Sequence, residues 1–95
     1  VTAYIVSDID VSDPQALADY VRLVPPVIER HGGRYLVRRG SIETLEGSWT
    51  PQALVIVEFP SAVEARRWYT SPEYQALKAQ HFKGATRNLI LVEGV

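Results

Sequence analysis

The order of elements legible along this chain, β-α-β-β-α-β, predicts an α+β fold in which helices cover one face of a four-stranded antiparallel sheet. Three observations carry the prediction. Apolar residues alternate with a period of two in four short runs, as half-buried strands require. Between the runs, apolar residues recur three and four apart, the period of an amphipathic helix. The boundaries are punctuated as well: Asp13-Pro14, Ser61-Ala62-Val63-Glu64 and Ser71-Pro72 are helix starts, and Gly32-Gly33 is a helix stop.

The first strand spans Ala3 to Ile9, with Ala3, Ile5 and Ile9 on one face and Tyr4, Val6 and Asp8 on the other. A helix follows. Asp13 caps it and Pro14 takes its first position, where a fixed φ suits the helix and the missing N–H would be unpaired anyway. Leu17, Tyr20, Val21, Val24, Ile28 and His31 form its inward stripe. Pro25-Pro26 removes the amides that would bond back to Val21 and Arg22, which should kink or split the helix; a bend is expected, with the stripe continuing beyond it. The second strand, Arg34 to Arg38, places Tyr35 and Val37 on one face and Leu36 and Arg38 on the other.

Gly40 to Pro51 is a long connection in which Ile42 and Leu45 could extend a hairpin arm, and its length suits a pocket lid or a dimer arm carrying Trp49. Leu54 to Phe59 is the third strand, β-branched and aromatic, with Glu58 on the face of Leu54 and Ile56. Ser61 and Glu64 have capping-box spacing for a helix that carries Ala65, Trp68 and Tyr69. Ser71-Pro72 opens a shorter helix carrying Tyr74, Leu77 and His81, and Asn88 to Glu93 closes the chain as a fourth strand. No repeat or linker interrupts residues 1–95, which read as one domain of the ferredoxin-like pattern. The sheet face without helices then holds Tyr4, Val6, Leu54 and Ile56, too apolar to be left in water. A second copy of so small a chain is the expected cover.

Composition excludes several function classes. A formal charge of −1 offers no basic field for a nucleic acid. No apolar run approaches the ~20 residues that span a bilayer, and Val1-Thr2-Ala3-Tyr4 carries no secretory signature, so a cytoplasmic protein without a membrane partner is the expectation. Without cysteine there is no disulfide, thiol nucleophile or thiolate metal site. The two histidines, His31 and His81, have no second ligand at metal spacing, and neither metal nor cofactor is expected.

Candidate chemistry is sparse. His31 precedes the glycine pair, where a basic side chain meets the negative end of the helix dipole. His81 shares a helix face with Tyr74 and Leu77, either bonded to Tyr74 as a half-buried core residue or aimed at a cavity where an imidazole could transfer protons near neutrality. Arg38 and Glu58 lie on neighbouring strands and are read as an ion pair or as the polar end of an apolar pocket. Trp49, Trp68, Tyr69 and Tyr74 supply large amphipathic surfaces for a core, an interface or a pocket wall. Ser71 is accounted for as a helix start, and no nucleophile elbow or phosphate loop exists.

Several spaced blocks resemble one family over nearly the whole chain: Ala3-Tyr4-Ile5, His31-Gly32-Gly33-Arg34-Tyr35-Leu36-Val37-Arg38, Leu45-Glu46-Gly47 with Trp49, Glu58-Phe59-Pro60-Ser61, Trp68-Tyr69, Ser71-Pro72-Glu73-Tyr74 and Leu91-Val92-Glu93-Gly94. The sequence is similar to domain of unknown function 1330, within the dimeric α+β barrel superfamily. It departs from that pattern at Arg39-Gly40, in place of paired glycines, and at Ala53 and His81, each in place of a frequent arginine. The resemblance implies a homodimeric barrel. By analogy with related barrels it also implies a cofactor-independent enzyme of isomerase, oxygenase or decarboxylase type acting on a small organic molecule between sheet and helices. In that scheme His81 is the acid or base, Arg38 holds an anionic group, Glu58 orients a partner, and Tyr4, Trp49, Trp68 and Tyr74 shape the cavity. The alternative is a non-catalytic metabolite-binding or stress-response module; haem held through a histidine, as in other barrels of the superfamily, is a third reading.

Overall fold

A computed structural model describes residues 1–95. The elements are β1 (Ala3–Val11), α1 (Pro14–Arg30), β2 (Arg34–Arg38), β3 (Leu54–Phe59), α2 (Ala62–Thr70), α3 (Pro72–His81) and β4 (Ala85–Glu93). The strands form one antiparallel sheet in the order β2-β3-β1-β4. This is the expected ferredoxin-like arrangement, with α2 and α3 in the place of its second helix.

Register assigns the two faces. Ile5 pairs with Val57 and Leu91, and Ser7 with Val55 and Leu89, so these positions face the helices. Tyr4, Val6 and Asp8 pair with Glu58, Ile56 and Leu54, and with Val92, Ile90 and Asn88 on the other side, forming the open face. The core lies on the helix side, where Phe59, Ala65 and Tyr74 are fully buried and Trp68 nearly so.

Asp13 Oδ1 accepts from the Ala16 amide at 3.2 Å, as the cap requires. α1 runs through Pro25-Pro26 as one helix that is not split, and its buried stripe continues beyond the proline pair. Val24, Val27 and Ile28, on either side of the proline pair, are all buried in the core, and that packing offsets the lost backbone bonds. Val27 thus joins the inward stripe, while Val21 lies at its rim, 42% exposed. The helix stops where Gly32 adopts φ +81° and the Gly33 amide reaches back to the Ile28 carbonyl at 3.0 Å.

β2 departs from the expected alternation. Tyr35 pairs with Val57, but Val37 pairs with Ile56 and Arg38 with Val55. Leu36 is therefore the extra residue of a bulge, and one extra residue reverses the parity of everything after it. Tyr35 and Arg38 share the helix side; Val37 lies opposite an open-face residue. The connection after β2 forms no hairpin strands. Ile42, Leu45 and Trp49 are all exposed, and the segment is tied down by the Trp49 indole, which donates to Asp8 Oδ2 on the open face at 3.3 Å.

Only half of the capping box forms at α2: Ser61 Oγ accepts from the Glu64 amide at 3.3 Å, while the Glu64 carboxylate accepts from Arg67 at 2.7 Å instead. Ser71 serves two helices. Its hydroxyl donates to the Trp68 carbonyl at 2.8 Å and accepts from the Tyr74 amide at 3.1 Å, which commits the oxygen to structure. β4 begins three residues before the expected Asn88, because Ala85, Thr86 and Arg87 pair with Val11, Asp10 and Ile9. Gly84 makes this junction: its carbonyl accepts from the Ser12 and Asp13 amides at 2.8 and 2.9 Å, and a Cβ there would lie 2.5 Å from the Asp13 oxygen.

Candidate functional site

Between α1 and the sheet lies a cavity of about 70 Å³, fourteen of whose eighteen lining residues are hydrophobic. Ile5, Phe82, Arg87 and Leu89 also line an open groove of about 880 Å³, which runs past α2 and α3 alongside β4. Arg87 thus stands where the narrow cavity meets the wide groove.

Three elements converge on that arginine. Arg87 has the parity of Leu89 and Leu91, so β4 turns it toward the helices. Its Nη1 donates to the Tyr20 hydroxyl of α1 at 3.0 Å, and its Nη2 to the Tyr74 hydroxyl of α3 at 2.6 Å. The two phenol oxygens are 2.8 Å apart, and the Phe82 ring lies 4.2 Å from the guanidinium carbon. Burial pushes the Tyr74 phenol well above its ordinary range, Tyr20 adds to the shift, and Arg87 opposes it. Burial works against the charge of Arg87, but the two phenols outweigh it and hold the guanidinium above its ordinary value.

Hydrogen bookkeeping gives this cluster a direction. Both phenols accept from Arg87, and one hydroxyl hydrogen is used between them. One remains. Tyr20 lines the cavity and Tyr74 does not, so the arrangement in which Tyr74 donates to Tyr20 leaves the Tyr20 hydrogen for an acceptor in the cavity. Trp68 also lines the cavity, and its buried indole N–H has no acceptor at all. At the far rim Arg38 lies 3.8 Å above the Tyr35 ring, and burial raises the Tyr35 phenol against the opposing pull of Arg38.

The sequence-derived residues are distributed unevenly over this geometry. Arg38 and Trp68 line the cavity, and Tyr74 lies behind it. His81 lies elsewhere, half-buried in an outer groove between α1 and α3 with Leu23, Pro26 and Arg30; its expected bond to Tyr74 is absent, since the Tyr74 hydroxyl is held by Tyr20 and Arg87. Glu58 does not meet Arg38. The bulge turns Arg38 to the helix side, and Glu58, on the open face, accepts from Arg34 Nε at 3.0 Å. Tyr4 is on the open face and Trp49 on the exposed connection. His81, Arg38 and Glu58 therefore occupy three separate places.

Sequence reasoning missed Arg87 and the partnership of Tyr20 with Tyr74. A signal for Arg87 was present, since it continues the period-two pattern of Leu89 and Leu91 one step upstream. No three histidine, aspartate and glutamate side chains converge as a metal site would need, and no helix is long and apolar enough to cross a membrane.

Solved structures with the same fold cover nearly all of the chain. A protein of unknown function from Rhodopseudomonas palustris has a TM-score of 0.76 at 21% identity, over 99% of this chain and 82% of that one. SnoaB, a cofactor-independent oxygenase from Streptomyces nogalater, gives 0.66 at 12% identity, over 99% and 93%. A dimeric ferredoxin-like protein of unknown function from Jannaschia gives 0.64 at 8% identity, over 99% and 100%. No curated protein is similar in sequence. The family model described as domain of unknown function (DUF1330) matches residues 2–95, in agreement with the spaced blocks from Ala3-Tyr4-Ile5 to Leu91-Val92-Glu93-Gly94, and the chain belongs to that family.

Proposed function

We propose that this chain forms a homodimer that binds a compact organic molecule in the space between α1 and the sheet, with Arg87 and Tyr20 as its polar end. The observation that carries the reading is a charged, largely buried guanidinium held by two phenols and no carboxylate, at the junction of an apolar cavity and an open groove. The cavity alone is smaller than the ~300 Å³ of ordinary ligand sites, so the groove must take part of the molecule. Arg38 and Trp68 contribute cavity walls in this reading; His81 and Glu58 lie outside it. Pairing through the open face is supported by its apolar content, with Ile90 58% and Val92 44% exposed in one copy, and by the dimeric description of the Jannaschia relative.

The catalytic form of this proposal is a cofactor-independent conversion. One observation favours it over passive binding: a guanidinium fixed by two phenols, with N–H groups to spare, is a preorganised donor of the kind that stabilises a developing oxyanion. The naming of SnoaB as a cofactor-independent oxygenase fits the same reading.

Native mass spectrometry of protein purified gently from its source cell tests the proposal. The expected species has twice the mass of the single subunit and carries a small adduct. A monomer would overturn the pairing. A bare dimer whose Trp68 fluorescence ignores small apolar probes would overturn the binding.

A further inference from the structure

The arginines of this chain fall into two groups. Arg22, Arg30, Arg34 and Arg67 each pair with a carboxylate, and none of them lines the cavity or the groove beside it. The remaining four, Arg38, Arg39, Arg66 and Arg87, all line one or the other together with Lys78, and none has a carboxylate partner. No aspartate or glutamate lines either space. The chain has 11 acidic residues against 10 basic ones, so this segregation is not a by-product of excess basic charge.

The hydrogen-bonding groups are just as one-sided. Arg87 has five N–H donors and uses two of them on the phenols. One hydroxyl hydrogen of the Tyr20–Tyr74 pair is uncommitted, and the Trp68 indole has no acceptor. Donors and positive charge in surplus call for a group that only accepts and is negative. An ionised carboxylate is such a group; an amide or alcohol brings hydrogens of its own.

We infer that the occupant of this space is a small organic acid whose carboxylate lies on the free edge of the Arg87 guanidinium and whose compact apolar body enters the cavity. This rests on the binding proposed above and adds the chemical class. The hydrophobic lining sets the requirement for an apolar body, and the exposed Arg66 and partly exposed Lys78 of the groove raise the local concentration of anions.

The test uses the two tryptophans of this chain as reporters, because their indole resonances in a ¹⁵N-correlated NMR spectrum separate the cavity from the exposed connection. Benzoate, hexanoate, their neutral amides and inorganic phosphate are titrated in turn. The acids are expected to move the Trp68 resonance saturably and leave that of Trp49 in place, with the amides at least about tenfold weaker. Amides that bind as well as the acids would overturn the inference and leave the pocket standing. Phosphate binding as tightly as benzoate would also overturn it, since an apolar body would then contribute nothing. A Trp68 resonance that no probe moves would remove the pocket and the inference together. Arg87→Gln is expected to bring the acids down to the amides' affinity. If that variant does not fold, Arg87→Lys keeps the charge without the fork and is expected to weaken the acids several-fold; undiminished acid binding in either variant would overturn the role of Arg87.

Discussion

The two faces of this sheet are built from the same alternating strands and meet different surroundings. On the helix side, Ile5, Val57 and Phe59 are closed in by α1, α2 and α3, and the polar groups among them include Arg87 and two phenols bonded to one another with donors left over. On the open side, Tyr4, Val6 and Ile56 are only half-buried, Ile90 and Val92 are exposed, and the half-buried Glu58 is matched by Arg34 across the strands. The difference teaches where each kind of free energy resides. Folding of one chain draws on the first face, while the second is the one left for the proposed pairing.

Truncating each face in turn separates those contributions. Phe59→Ala removes a fully buried ring packed on Trp68 and is expected to cost about 3–5 kcal/mol of unfolding free energy, read by denaturant titration. Ile90→Asp on the open face leaves the helix-side core intact, so the chain is expected to stay folded. It is expected to raise the dimer dissociation constant by at least about 100-fold, or about 2.7 kcal/mol, because a carboxylate would be desolvated against apolar neighbours. Sedimentation equilibrium checks it. If Ile90→Asp unfolds the chain as Phe59→Ala does, the two faces are not energetically separate.

The polar cluster sharpens the comparison through pH. Tyr74 has a raised folded-state pKa, so folding favours the protonated phenol. Its contribution is complete below the unfolded value of about 10 and declines as pH rises above it, because the unfolded chain then releases the proton more readily than the native one. Tyr74→Phe is expected to lower stability at pH 7 by about 1.5–3 kcal/mol, the range for hydrogen bonds to charged groups. It is also expected to flatten the alkaline decline predicted for the parent chain between pH 9 and 11. An alkaline decline of equal slope in both proteins would place the titrating group elsewhere.

Legibility followed range along the chain. Asp13, Ser61 and Ser71 act through amides three residues away, and their caps were readable because a short motif contains both partners. The aromatic content of the core was readable for the same reason, from Phe59, Trp68 and Tyr74 lying within one stretch of sequence. The site was not. Tyr20 and Tyr74 are 54 positions apart, Arg87 is 67 from Tyr20, and no periodicity shows that three elements place their tips together. The bulge at Leu36 misled for a different reason: alternation is read by parity, and one extra residue inverted it for Arg38 without any proline or glycine to mark the place. Glu58 was correctly read as a carboxylate needing a partner, but with Arg38 turned away, Arg34 filled that role.

The smallest expected effect concerns the rim where the bulged strand leaves the sheet. Arg39 is the one residue other than glycine with positive φ, at +58°, and its amide donates to the Leu54 carbonyl at 2.8 Å, so the conformation is held by the sheet itself. An L residue in this region carries about 1–2 kcal/mol of strain, and glycine relieves it at a cost of about 0.5–1 kcal/mol in unfolded-state entropy. Arg39→Gly is therefore expected to stabilise the chain by about 0.5 kcal/mol in denaturant titration. The same change deletes one of the carboxylate-free cations at the cavity rim, so a stabler protein is expected to bind benzoate more weakly, by a few-fold at low salt and less at high salt. Stability and binding moving in opposite directions would mark Arg39 as a strained residue retained for its charge; the two rising together would mean that the guanidinium obstructs the cavity it borders.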